Sequence, residues 1–129
     1  MKLAYTIVYV SDVAASLGFF ERAFGLATRF LHESGGYGEL DTGATALAFA
    51  QHDVARSNLG RDYVAAGASA QPLGMEVGLV TDDVSAAFER AVAAGAEPLA
   101  PPVIKPWGQT VAYVRCPDGT LVELCTAMD

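Results

Sequence analysis

The chain has 129 residues, 52% of them hydrophobic and 18% charged, which suits one packed domain and excludes a disordered polypeptide. Fifteen acidic against eight basic side chains give a formal charge of −7, which excludes nucleic acid as a partner, because phosphate binding needs clustered Lys and Arg. The same balance mildly favours cationic over anionic ligands. No apolar run reaches the ~18 residues of a membrane span. Met1-Lys2-Leu3 leads directly into a strand-like segment with no signal-peptide core, so a cytoplasmic protein without membrane attachment is expected.

Tyr5 to Val10 reads as a strand that runs into a helix cap at Asp12, after which Val13, Leu17, Phe20 and Phe24 recur at helical spacing until Gly25. Three strand candidates follow: Thr28 to Glu33, Tyr37 to Asp41, and Thr45 to Ala50. Gly35-Gly36-Tyr37-Gly38 is a turn and not a phosphate loop, since it lacks the Lys and the following helix. Residues 51–74 are polar, Ala-rich and broken by Gly60, Gly67 and Pro72, so they read as a lid, an interface arm, a crossover, or a linker that only spans the halves.

From Glu76 the opening pattern returns. A strand meets an acidic cap at Asp82-Asp83, then Val84, Phe88, Ala91 and Val92 follow at helical spacing to Gly95. Three more strands are expected at Glu97 to Ala100, Thr110 to Arg115 and Leu121 to Thr126, the first confined to an edge by Pro98, Pro101 and Pro102. The chain is therefore a tandem β-α-β-β-β duplication: module one about 1–50, a connecting segment 51–74, and module two about 75–129. Each half is too small to hold a core alone, so the two should pack as one unit. If the tetrapeptide 117–120 closes a hairpin, Cys116 faces Leu121 and Cys125 faces Ala112, which leaves two buried thiols and no bridge.

Tyr9-Val10-Ser11-Asp12-Val13 through Phe24-Gly25-Leu26, with the closing Cys116-Pro117-Asp118-Gly119-Thr120-Leu121-Val122-Glu123-Leu124, resembles the vicinal oxygen chelate superfamily of glyoxalases, bleomycin-resistance proteins and dioxygenases. The resemblance implies an α+β fold in which two βαβββ modules form a curved, mostly antiparallel sheet around a cleft, with helices on the outer face. It also implies a homodimer. The family's metal ligands would fall at Tyr5, Ala48, Glu76 and Glu123, where His or Gln, Glu, His and Glu are usual. Ala48 has no donor and neither His32 nor His52 occupies a ligand position, so no family-type metal is expected, at most a weakly bound divalent ion. A dioxygenase, which needs two His and a carboxylate on iron, is disfavoured.

Strand alternation then sets Tyr5, Ile7, Tyr9, Ala46, Ala48, Ala50, Glu76, Gly78, Val80, Leu121, Glu123 and Cys125 on the cleft face. The bulkier Val8, Val10, Leu47, Phe49, Val77, Leu79, Val122 and Leu124 belong to the face under the helices. The expected ligand-binding residues are Tyr5, Ile7, Tyr9, Ala48, Ala50, Glu76, Glu123 and, from the loop before the seventh strand, Trp107. Glu76 and Glu123 are the candidate catalytic pair: two carboxylates sharing one site push one pKa upward, which suits proton transfer. The leading expectation is a small-molecule binder of the bleomycin-resistance kind for an aromatic or cationic compound. The alternatives are a metal-dependent lyase or isomerase of the glyoxalase I type, and a metal-free enzyme working through Glu123 and Glu76.

Overall fold

In the computed structural model, which describes residues 1–128, the first module builds strand β1 (Tyr5–Val10), helix α1 (Val13–Phe24), and strands β2 (Thr28–Leu31), β3 (Tyr37–Leu40) and β4 (Ala46–Gln51). The second builds β5 (Val77–Val80), α3 (Val84–Ala94), β6 (Glu97–Ile104), β7 (Thr110–Arg115) and β8 (Leu121–Cys125). Between them lies a further helix, α2 (His52–Leu59), and a single 3₁₀ turn over Ala66–Ala68. Each module carries its own four-stranded mixed sheet, in the orders β1-β4-β3-β2 and β5-β8-β7-β6, with one parallel pair apiece.

Both modules start their helices in the same way. The Asp12 carboxylate accepts from the Ala15 N–H and the Asp83 carboxylate from the Ala86 N–H, each at 3.0 Å, satisfying amides that a helix start leaves free. Gly25 and Gly95 end the helices at φ of 70° and 119°, where a Cβ would be strained. Asp12→Ala and Asp83→Ala should each lower stability by about 1 kcal/mol. Urea unfolding should show one transition in both variants, because the modules share a core; two transitions in either would separate them.

That shared core holds Val10, Leu17, Phe20, Leu47 and Phe49 from the first module with Val84, Ala112, Val114, Val122 and Leu124 from the second. Phe20 packs on Phe24 and on Phe49, with ring centroids 5.1 Å apart in each case. The helices α1 and α3 lie against each other, and Arg90 of α3 donates through Nε to the Arg22 carbonyl at 2.9 Å, covering the end of α1. Gly38 is small for a packing reason: a Cβ there would come within 2.7 Å of Leu17 Cδ1, so α1 lies close on β3.

Two expectations need correction. The β7–β8 hairpin pairs Val111 with Cys125 and Arg115 with Leu121, one residue away from the expected register. The turn closes over three residues, 117–119, since the Cys116 N–H donates to the Thr120 carbonyl at 2.8 Å and Gly119, at φ 93°, makes the tight bend. Strand β6 runs on to Ile104, because as an edge strand it tolerates Pro101 and Pro102 by breaking register between Ala100 and Val103. The connecting segment has definite structure: Gln51 caps α2 by accepting from the Asp53 N–H at 2.7 Å, and Gly60 closes the helix.

Candidate functional site

Alternation on β4 and β8 divides the side chains as expected. Leu47, Phe49, Val122 and Leu124 belong to the core, whereas Ala48 and Glu123 do not. The opposite, open faces of the two sheets carry the chemistry. A cavity of about 290 Å³ lies where β1 approaches the start of β5 and the β7–β8 turn. Ile7 and Tyr9 of β1, Tyr63 and Val64 of the connecting segment, and Met75, Glu76 and Leu121 line it.

The connecting segment forms one wall of this cavity. Arg115, on the open face of β7, donates through Nη2 to the carbonyls of Ala66 and Ser69, both at 2.9 Å. Beyond that tether Tyr63 packs on Tyr9 at a centroid distance of 4.8 Å and hydrogen-bonds His52 Nδ1 at 2.5 Å. Arg115 was not among the expected site residues, and neither was Tyr63. Tyr63 is separated from β1 by most of the first module in sequence, so only the path of the connecting segment brings it to Tyr9.

Glu76 lies one residue before β5, and Glu123 is central on β8, paired with Gly78 in register. Their hydrogen bond, with partial burial and the neighbouring Glu123 charge added, raises Glu76 from the usual carboxylate range to about 7. Burial and the same two carboxylates raise the Tyr113 phenol, directly across from Glu123 on β7, and the Cys125 thiol. Glu76 is therefore mostly protonated at mildly acidic pH and gains its negative charge above neutrality. Tyr113 stays a neutral phenol beside it.

The structure brings Ile7, Tyr9 and Glu76 together at the cavity, with Glu123 beside Glu76. Ala48 and Ala50 are 0% and 5% exposed and form the floor of the first sheet's open face, away from that cavity. Tyr5 stands at the edge of the same face, 57% exposed. Trp107 lies on the β6–β7 turn, 62% exposed, its indole N–H donating to Gln109 Oε1, and it does not line the cavity.

The whole arrangement, two βαβββ units with a Glu at the centre of the last strand, is that of a known family. The model of the Glyoxalase/Bleomycin resistance protein/Dioxygenase superfamily matches residues 2–124, and the chain belongs to that superfamily. It is similar to a glyoxalase-related enzyme from Fulvimarina pelagi, with 23% identity and a TM-score of 0.83 over 98% of this chain and 88% of that one. A glyoxalase/bleomycin resistance protein/dioxygenase family enzyme from Burkholderia phytofirmans PsJN superposes with a TM-score of 0.80 at 20% identity, covering 99% and 100% of the two chains. TioX from Micromonospora sp. ML1 superposes with a TM-score of 0.69 at 22% identity, covering 98% of each chain. At such identities the likeness is one of fold. No curated protein matches the chain.

The metal that the superfamily implies would lie among Tyr5, Ala48, Glu76 and Glu123, and this donor set does not fit it. Ala48 has no donor atom and Tyr5 offers only a phenol, so Glu76 and Glu123 are the two hard donors left, too few for a family-type site.

Proposed function

We propose that the chain binds a small aromatic or cationic molecule in the cavity between β1, the connecting segment and β5, without a family-type metal. The observation that carries this reading is the Glu76–Glu123 pair beside an otherwise largely apolar cavity walled by Tyr9 and Tyr63. An aromatic wall supplies a flat apolar contact, and a carboxylate pair at its rim supplies the countercharge. A second copy of the chain is the expected protein partner, since Val80, Ile104 and Trp107 leave a large apolar area of the second module exposed.

The direct test is a thermal-shift and calorimetric titration with benzyltrimethylammonium, alongside metal analysis of the purified protein. Stabilisation by the cation, with no stoichiometric divalent ion, is the expected result. One tightly held metal per chain, or no response to any cationic aromatic compound, would overturn it.

A metal-free enzyme is the second reading, favoured by one observation: a carboxyl titrating near 7 is matched to proton transfer at neutral pH. In that case a Glu123→Gln variant would still bind the ligand and lose turnover, whereas in a pure binder it would alter affinity alone.

A further inference from the structure

A second cavity, of about 480 Å³ and larger than the first, lies on the helix side of the molecule. It opens between α1, the connecting segment and the β7–β8 turn. Its space exists because the residues facing α1 are small: Ala65, Gly67, Ala68 and Ala94. Tyr63 lines the first cavity and His52 the second, so the hydrogen bond between them crosses the wall that divides the two. Tyr5, Ala48, Glu76 and Glu123 all lie outside this second cavity.

Three charged side chains face it: Asp12 at the start of α1, Asp118 on the β7–β8 turn, and Arg22 further along α1. Asp118 is half-buried, and its Oδ2 accepts from Ser16 Oγ at 2.8 Å while Oδ1 accepts from the Thr120 N–H and hydroxyl at 3.0 and 2.7 Å. Those donors fix the carboxylate, but none of them carries a charge. Asp12 caps the helix through Oδ1, which leaves Oδ2 free. Among the described residues the one ion pair is Arg56–Asp62, so no cation meets Asp12 or Asp118 and no carboxylate meets Arg22. Nor is Arg22 engaged at the end of α1, where Arg90 and the Gly25 N–H take the free carbonyls. Its guanidinium folds back along the helix instead: a Cβ at Gly18 would lie 3.3 Å from Arg22 Nη1. The positive group therefore stands level with residue 18, about 9 Å along the helix axis from Asp12.

The cavity thus has a negative end, a positive end and, between them, the apolar Ala15 and Phe19. An ammonium group supplies the countercharge that Asp12 and Asp118 lack, and a carboxylate matches the forked donors of a guanidinium. A compound with one charge satisfies one end only. We propose that this cavity is a second binding site, for an elongated zwitterion of the ω-amino acid class lying along α1, with its ammonium at Asp12 and Asp118 and its carboxylate at Arg22. The site is independent of the one proposed above.

The test is a titration of the full chain with 6-aminohexanoate, followed by amide chemical shifts. Saturable shifts over residues 10–22, 65–68 and 117–118 are expected. Arg22→Gln, and Asp12→Asn, which keeps the helix cap, should each weaken binding about tenfold. Ala15→Leu fills the cavity from an exposed helix position and should abolish binding. Hexylamine and hexanoate, each with one charged end, should bind about tenfold more weakly than the zwitterion. Equal binding of hexylamine, unchanged affinity in a folded Arg22→Gln variant, a response that never saturates, or shifts at Tyr9, Tyr63 and Glu76 in place of these residues would each overturn the proposal.

Discussion

A Gly119→Ala variant is expected to lose about 3 kcal/mol or more of stability, an unusually large effect for one methyl group. Two penalties combine. Gly119 has φ 93°, which side-chain-bearing residues rarely adopt. An added Cβ would also stand 2.2 Å from the Ala66 carbonyl oxygen and 2.5 Å from the Gly67 nitrogen. Both obstacles are backbone, so no rotamer change relieves them. The 3₁₀ turn would have to leave the β7–β8 turn, taking with it the bonds from Arg115 to Ala66 and Ser69. Gly43→Ala is the control: its φ is 88° but an added Cβ meets nothing within 4 Å, so it should cost only about 1 kcal/mol. Urea midpoints compare them directly, and equal losses in both variants would show that the close approach contributes nothing. Because the same turn anchors the wall that presents Tyr63, Gly119→Ala should also weaken ligand binding at temperatures where the protein remains folded.

The seating of that wall explains why the connecting segment was hard to read from sequence. Its helix α2 buries one residue, Ala55, so residues 51–59 show no broad apolar stripe. The remainder is held by Arg115 and by the turn at Gly119, both distant in sequence, and a local pattern carries no trace of such contacts. The opposite holds for the duplication. The Asp12–Gly25 and Asp83–Gly95 caps are local signals with local causes, so helix limits were legible in the chain itself. Face assignment was equally legible on β4, where Ala alternates with Leu47 and Phe49, and on β8, where Glu123 stands between the apolar Val122 and Leu124.

Register was less accessible. The 117–119 turn is one residue shorter than expected because Gly119 bends it tightly and Asp118 Oδ1 accepts from the Thr120 N–H at 3.0 Å, which lets Cys116 pair with Thr120. It moves Cys125 opposite Val111, while Cys116 joins the core.

The Glu76–Glu123 pair should give stability and ligand affinity opposite dependences on pH. Glu76 is raised from 4.5 to about 7 on folding, so between those values the folded chain binds more protons than the unfolded one. The proton-linked contribution is therefore fully present below pH 4.5 and is lost as pH rises through 7. Glu76 is exposed to solvent, which screens much of the effect, and about 1 kcal/mol is the expected loss between pH 5 and 8. Affinity for a cation moves the other way. Deprotonation gives the pair its second negative charge, and one further charge a few ångströms from a ligand cation at the protein surface is worth about 1–2 kcal/mol. Benzyltrimethylammonium should then bind about tenfold tighter at pH 8 than at pH 6. Glu76→Gln removes the titrating group and should flatten both curves, leaving the variant more stable than the parent at pH 8 and a weaker binder there. Denaturation and calorimetry at matched ionic strength measure the two trends on the same samples. A parent protein whose stability and affinity rise together across this window would show that the carboxyls do not share a proton, and with that the electrostatic basis of the cavity reading would fall.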